Sequence, residues 1–198
     1  NVLFKIEGTV MSGTPVLNLA ESPLAGCQIH SAKGILNGTT NYILSEMEGG
    51  MDYDEALSKA QELGYAEADP TGDVEGFDAR AKVTILANRV MGIPCKIGEV
   101  ECTGISHITS EDIQQAKNTN ARWKLIGSIE LKDGNLLASV KPEMVPISHP
   151  LASIMGPVNA ITYSTDLMGD ITIVGAGAGK IETGYSILTD LLDIHRSS

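Results

Sequence analysis

The sequence feature that most constrains the fold is a β-hairpin signal in the second half of the chain. Two apolar-rich runs, LIGSIEL at 125–131 and LLASVKP at 136–142, flank the segment Lys132-Asp133-Gly134-Asn135. An Asp-Gly pair supplies the positive φ angles that a tight antiparallel turn needs. A second hairpin is predicted between NAITYST at 159–165 and DITIVG at 170–175. The sequence therefore predicts antiparallel sheet.

Other segments have the apolar spacing and the end signals of helices. Asp52 with Glu55, and Thr109 with Asp112, are typical of capping-box starts. Thr14 and Thr39 are predicted to cap two further helices, the first with Pro15 at its first helical position, and residues 65–76 are predicted to be loop. The predicted helices cover about 15–20, 39–48, 52–63, 77–91, 109–121 and 180–195, and further strands cover 2–10 and 27–36.

Hairpins mixed with amphipathic helices predict an α+β fold, with a mixed, largely antiparallel sheet and helices packed on one face. The composition is that of a globular chain, since 42% of the 198 residues are hydrophobic and 20% are charged. The net charge of −11 argues against a basic nucleic-acid-binding face. No apolar run reaches the roughly 18 residues that a membrane span needs.

The cysteines and the first residue indicate a cytoplasmic fragment. Cys27, Cys95 and Cys102 are odd in number and widely spaced, which favours free thiols in a reducing compartment over disulfides or zinc. The chain begins with Asn1, so we expect its natural start to lie upstream.

The segment GYAEADPTGDVEGFDARAK, residues 64–82, has the most informative chemistry. It carries five carboxylates and ends on Lys82; the carboxylates are Glu67, Asp69, Asp73, Glu75 and Asp78. Asp78 and Lys82 are four residues apart at a helix start and so share a face. Composition alone favours a solvated acidic loop with a surface ion pair. The small residues Gly72 and Gly76 favour instead a pocket, in which carboxylates hold an ammonium group and the lysine transfers a proton.

The turn Asn37-Gly38-Thr39-Thr40-Asn41 adds a second polar feature. It lies between a predicted strand and a predicted helix, where backbone N–H groups bind anions such as a carboxylate. Simple capping is compatible with this role. Together, anion, ammonium and hydroxyl sites would suit an amino acid that carries a side-chain alcohol.

Four blocks of sequence then identify a family. They are GTVMSGTP at 8–15, GILNGTTNYIL at 34–44, the 64–82 segment, and GAGAGKIETG at 175–184, with HPL at 149–151 and NAI at 159–161 as weaker matches. In these blocks and in their order, the chain resembles the catalytic part of homoserine dehydrogenase along essentially its whole length.

The resemblance implies a reaction and a set of site residues. The reaction is the NAD(P)-linked interconversion of L-aspartate 4-semialdehyde and L-homoserine, a step in the biosynthesis of threonine, methionine and isoleucine. Lys82 would handle the hydroxyl proton and Asp78 would orient it. The implied substrate contacts are Gly38, Thr39, Tyr65, Glu67, Asp73 and Lys82, with Glu67 on the amino group. The implied cofactor contacts are Gly177, Ala178, Gly179 and Thr183.

The resemblance also implies a monovalent cation, usually sodium. Its ligands would be the carboxylate of Glu7 and the backbone carbonyls of Val10, Ser12 and Thr14. An all-oxygen set suits a hard cation. By itself, the same stretch is interpreted equally well as a plain strand, turn and helix. Family members are usually homodimers, so we expect a homodimer here, with no sequence evidence for the sheet edge used.

The resemblance places a nucleotide-binding Rossmann domain before residue 8. We therefore expect residues 1–174 to form the substrate-binding, catalytic and dimerisation domain, and 175–198 to pack on that further domain. The run Gly175–Gly179 lacks the G-x-G-x-x-G spacing of a dinucleotide fingerprint.

Two hypotheses follow. The chain is the catalytic portion of a full enzyme, weakly active or inactive alone, or it is a stand-alone amino-acid-binding or dimerisation module. The presence of Lys82 favours the first. The sequence does not decide between NAD and NADP. It also leaves open whether an aspartate kinase is fused upstream.

Overall fold

The computed structural model describes residues 2–196, which contain one six-stranded sheet. The strands are β1 (Ile29–Ile35), β2 (Glu101–Cys102), β3 (Ala121–Lys132), β4 (Asn135–Pro146), β5 (Val158–Thr165) and β6 (Gly169–Ala176). Their order is β2-β4-β3-β1-β5-β6, and every neighbouring pair is antiparallel except β2 with β4. The predicted α+β class with a mixed, largely antiparallel sheet is confirmed.

The helices pack mainly on one face of this sheet. They are α1 (Val16–Glu21), α2 (Gly38–Gly49), α3 (Tyr53–Glu62), α4 (Thr71–Val74), α5 (Phe77–Arg89), α6 (Ser110–Asn118) and α7 (Lys180–Arg196). Helices α2, α5 and α6 contact β3, and their apolar sides share the main core with Leu125 and Ile129. On the opposite face, Ile35 and Ile126 form a smaller apolar cluster under the 3-10 helix Pro150–Ser153.

The local signals that fix element ends are confirmed. Asp52 and Glu55 form a reciprocal capping box at α3, as Thr109 and Asp112 do at α6. At the β3–β4 turn, Asp133 has φ of 50° and Gly134 has φ of 78°, the geometry that the Asp-Gly pair predicted.

The strand predicted at residues 2–10 is wrong. This segment joins no sheet, and Glu7–Thr9 forms a 3-10 helix whose Glu7 N–H donates to Asp190 of α7. Val2, Leu3 and Phe4, which suggested a strand, are exposed, whereas Val10 at the end of the segment is buried in the main core. The apolar pattern therefore predicted neither the exposure of these residues nor the lack of a strand for the segment to pair with.

Three further expectations need correction. Pro15, not Thr14, occupies the N-cap of α1, because the Thr14 hydroxyl donates to the carbonyl of Ala176. Asn37, not Thr39, caps α2 by accepting the N–H of Thr40. The predicted loop at 65–76 contains the short helix α4.

Lys124 is a buried lysine that the sequence did not single out. Its side chain on β3 is 1% exposed, and its ammonium donates to Asn41 Oδ1 at 2.9 Å and to the carbonyl of Ile154. Burial lowers the pKa of Lys124 to about 8, because desolvation disfavours the charged form. This group ties α2 to the segment after the 3-10 helix.

Two other expectations concern the whole chain. Cys27, Cys95 and Cys102 are free thiols. Among residues 2–196, no helix has the length and apolar character to cross a membrane. The predicted domain limits at residues 1 and 198 lie outside the described residues, and the predicted boundary at 174/175 falls inside β6.

Candidate active site

A cavity of about 1000 Å³ lies where the N-terminus of α2, the α4–α5 segment and the end of β6 meet. Its walls contain every residue predicted to contact the substrate, together with Gly177, Ala178 and Gly179. The lining residues are Asn37, Gly38, Thr39, Gly64, Tyr65, Glu67, Asp69, Gly72, Asp73, Asp78, Lys82, Pro157, Val158 and 175–179. Segments far apart in sequence thus form one concave site.

Lys82 and Asp78 form the centre of one wall. They stand one helical turn apart on α5, and Lys82 Nζ donates to Asp78 Oδ2 at 2.7 Å and to the carbonyl of Leu36 at 2.9 Å. The Lys82 side chain is only 16% exposed. An ammonium has three hydrogens, and these two acceptors fix its direction while a third hydrogen can reach a ligand oxygen. This geometry suits proton transfer to or from a hydroxyl.

Asn37 connects this wall to the α2 N-terminus, a role that sequence reasoning missed. Its Nδ2 donates to Asp73 Oδ1 at 2.6 Å and to Asp78 Oδ2 at 3.0 Å, while its Oδ1 caps α2. One amide therefore fixes the positions of two carboxylates relative to one helix end. The signal that could have found it is an asparagine at an N-cap position followed by small residues.

Asp73 is half-buried, and burial raises the pKa of its carboxyl above the ordinary value. The hydrogen bond from Asn37 opposes this rise, and the nearby charge of Asp78 adds to it. A ligand ammonium placed beside Asp73 would favour the ionised form, because an opposite charge lowers a carboxyl pKa.

The loop that carries Tyr65 and Glu67 is hydrogen-bonded to α2 and α3. The Thr39 hydroxyl donates to the Tyr65 carbonyl at 2.6 Å, and the Tyr65 ring lies 5.0 Å from that of Tyr42. Gln61 donates to the Glu67 carbonyl at 3.1 Å, while Glu67 itself is exposed at the cavity wall. The exposed carboxylate is placed to meet a cationic group of a ligand.

The opposite wall contains the end of β6 and the loop after it, residues 175–179, which are all glycine or alanine. β6 ends at Ala176, so the glycine-rich loop consists of residues 177–179, and it leads into α7. A Cβ at Gly177 would overlap the amide of Asn159, and one at Gly179, where φ is 142°, would overlap Glu182. Because this stretch carries no side chain larger than a methyl group, a flat ring can approach its backbone closely. The residues present thus fit the nicotinamide end of a dinucleotide.

Thr183 and the residues predicted for the cation lie outside the cavity lining. The Thr183 hydroxyl is 2.8 Å from that of Ser12, so α7 contacts the 10–14 segment. Glu7 is buried and accepts the N–H groups of Leu17 at 3.0 Å and Asn18 at 2.7 Å. Desolvation raises the pKa of Glu7, and those N–H groups oppose the rise.

The 10–14 segment is strained, since Met11 and Ser12 have φ of 56° and 51°. Such left-handed residues without glycine persist where the surrounding structure holds them. Glu7, Val10, Ser12 and Thr14 are close in sequence around this bend, where the Glu7 carboxylate accepts two backbone N–H groups and the Thr14 carbonyl accepts that of Val16 at 2.8 Å. The donor set is chemically suitable.

Comparison with known proteins identifies the family. A sequence model described as homoserine dehydrogenase matches residues 15–192. The NAD(+)-dependent homoserine dehydrogenase of Pseudomonas canavaninivorans is 50% identical over 199 aligned residues, which cover 100% of this chain and 56% of that protein.

Two solved structures show the same fold. The homoserine dehydrogenase of Thiobacillus denitrificans superposes with a TM-score of 0.95 at 37% identity, covering 97% of this chain and 45% of that one. A hyperthermophilic archaeal homoserine dehydrogenase mutant in complex with NADPH gives a TM-score of 0.83 at 30% identity, covering 98% and 56%.

The chain spans about half of the length of the curated relatives it matches, from 44% to 57%. The match includes every cavity-lining residue between Asn37 and Gly179. Sequence, fold and family match agree, and the chain belongs to the homoserine dehydrogenase family.

Proposed function

We propose that this chain is the substrate-binding and catalytic portion of an NAD(P)-dependent homoserine dehydrogenase, which interconverts L-homoserine and L-aspartate 4-semialdehyde. The observation that carries the proposal is the position of Lys82. Its ammonium is held by Asp78 and Leu36 on one wall of the cavity, facing a loop of glycines on the other.

The charged wall suits the functional groups of homoserine. The first-turn N–H groups of Gly38 and Thr39 lie at the positive end of α2, where a carboxylate is stabilised. Glu67 and Asp73 supply negative charge for the ammonium group. Lys82 then takes the remaining position, beside the terminal hydroxyl.

In the oxidation of homoserine, Lys82 accepts the hydroxyl proton through the base form of its amine, and in the reverse direction it returns the proton to the carbonyl oxygen. Asp78 keeps the Lys82 amine directed at the substrate and stabilises its positive charge. Bound NAD(P) would accept or supply the hydride. Gly177, Ala178 and Gly179 would hold the nicotinamide end against the substrate carbon, with Thr183 positioning α7.

The remaining expectations are part of the same proposal. A nucleotide-binding domain outside these residues would cover the apolar side of α7; its exposed residues include Ile181, Tyr185, Leu188, Leu191 and Leu192. Residues up to 174 would form the catalytic and dimerisation domain of a cytoplasmic homodimer. A sodium ion would bind at Glu7 with the carbonyls of Val10, Ser12 and Thr14.

The test of this function is Lys82→Ala in the full-length protein. Turnover of homoserine with NAD or NADP should fall by about 100- to 10,000-fold, the usual contribution of a positioned acid–base group. The matched control is Lys59→Ala, which breaks an exposed lysine–carboxylate pair with Glu62 on α3, outside the cavity.

The control should keep wild-type turnover, since exposed pairs contribute little. Wild-type turnover in Lys82→Ala would contradict the role given to this lysine. Turnover by the isolated 198-residue chain at an ordinary enzymatic rate would contradict the proposal that it needs a further domain. Homoserine binding by a full-length protein that catalyses no oxidation would favour the amino-acid-binding alternative.

A further inference from the structure

Asn159 on β5 is a buried residue whose side-chain amide has no evident structural role. The residue is 0% exposed, and it pairs in register with Gly175 of β6. Neither its Nδ2 nor its Oδ1 has a hydrogen-bond partner among residues 2–196. Unmade hydrogen bonds at a buried polar group are costly, so such a group calls for an explanation.

The amide lies directly behind the junction of the two cavity walls. A Cβ on Gly177 of the glycine-rich loop would overlap its atoms, and a Cβ on Gly38 of α2 would lie 3.3 Å from Oδ1. Both glycines line the cavity, as do Pro157 and Val158 immediately before Asn159 in the chain. The amide is therefore between the wall proposed to bind substrate and the wall proposed to bind nicotinamide.

We propose that Asn159 is a positioning residue for the hydride-transfer reaction. When the cavity is filled, its amide hydrogen-bonds the backbone of the glycine-rich loop at Gly177 and of the α2 N-terminus at Gly38. An amide suits this task because it offers donors and an acceptor at once. The bonds fix the distance between the two walls, and with it the distance between the nicotinamide and the substrate carbon. This inference rests on the function proposed above.

The experiment is Asn159→Leu in the full-length protein, since leucine has the same branched shape without polar atoms. Replacing an unpaired buried amide with an apolar group should leave the melting temperature unchanged or raise it. The value of kcat/KM for homoserine oxidation should nevertheless fall by about 10- to 100-fold, because a misplacement of about 1 Å costs that much. A residue with a purely structural role would give the opposite combination.

The matched control is Thr162→Val on the same strand. It removes the hydrogen bond between the hydroxyls of Thr162 and Thr172, which are 2.8 Å apart. Both residues lie outside the cavity. The control should lower the melting temperature slightly and keep kcat/KM. A lowered melting temperature with unchanged kcat/KM in Asn159→Leu would overturn the proposal, as would unchanged kcat/KM at any stability.

A measurement on the wild type decides the matter if Asn159→Leu fails to fold or loses both stability and activity. The side-chain NH₂ resonance of Asn159 should shift, and its hydrogen exchange should slow, when NADPH and homoserine are added together. An unchanged resonance with both ligands bound overturns the proposal. A wild-type protein that does not oxidise homoserine contradicts the proposed function instead, before any variant is compared.

Discussion

The two walls of the cavity are built in opposite ways. On the α5 wall, charged side chains are already paired, with Lys82 bonded to Asp78 and Asn37 bonded to both Asp73 and Asp78. On the β6 wall, residues 175–179 are all glycine or alanine, and the buried amide behind them, Asn159, has no partner among residues 2–196.

This difference indicates that the two walls contribute to the reaction in different ways. Paired charges hold their geometry before a ligand arrives, which limits the reorganisation needed during proton transfer. A wall of glycines offers close approach and little fixed geometry, so its order depends on what it contacts. Activity should therefore be sensitive to substitutions that change charge on the α5 wall, and to substitutions that add side-chain volume on the β6 wall.

A large effect, though smaller than that of Lys82→Ala, is expected from Gly177→Ala. The added methyl would overlap the Asn159 amide, so the loop or β5 must shift. The KM for the nucleotide should rise and kcat/KM should fall by about 10- to 100-fold, as for other small displacements at a reaction site. Steady-state kinetics on the full-length protein would measure both.

The control for this change is Gly26→Ala, where a Cβ meets no atom within 4 Å. It should retain wild-type kinetics and stability. Equal kinetics for both variants would show that the β6 wall tolerates bulk, and the contrast between the walls would not hold.

A smaller effect is expected from pH, and it should appear on the charged wall alone. Since burial raises the pKa of Asp73, this carboxyl protonates earlier than an ordinary aspartate as the pH falls. The neutral form no longer attracts an ammonium group, so the KM for homoserine should rise several-fold on acidification while the nucleotide KM changes less.

Asp73→Asn isolates this effect. The variant should bind homoserine more weakly at neutral pH and should show a flatter dependence of the homoserine KM on pH. A pH dependence identical to that of the wild type would assign the titration to another group.

The smallest effect is expected from Asn37→Ser. Serine caps a helix about as well as asparagine, so the contribution of the cap to the free energy of unfolding should change by less than about 0.5 kcal/mol. The bonds from Nδ2 to Asp73 and Asp78 are lost, but Lys82 still holds Asp78. We expect kcat to fall by only about two- to threefold, the change for a net contribution of about 0.5 kcal/mol. An unchanged kcat would show that Asn37 acts only as a cap.

Much of the fold was predictable because its signals are local. The capping boxes at Asp52 and Thr109 and the turn at Asp133-Gly134 each depend on residues within a few positions of one another. The failure at residues 2–10 has the complementary cause. The apolar residues Val2, Leu3 and Phe4 are exposed, and strand pairing depends on a neighbour that an apolar pattern does not contain.

The residues of the candidate site likewise include some that local sequence signals predict and others that they do not. Asp78 and Lys82 could be paired from sequence because one helical turn separates them. Asn37 could not be connected with Asp73, 36 residues away, and nothing local marks Asn159 or the buried Lys124 as unusual.

The sequence by itself determined the element types, the family resemblance and the residues suited to proton transfer. Those properties depend on backbone preferences and on side-chain chemistry, which each residue carries with it. Only the tertiary structure decided which groups share the cavity, that Asn37 holds two carboxylates, and that Asn159 is left without a partner between two glycines. The physical reason is that hydrogen bonding and desolvation act over a few ångströms in space, between segments that the chain separates by tens of residues.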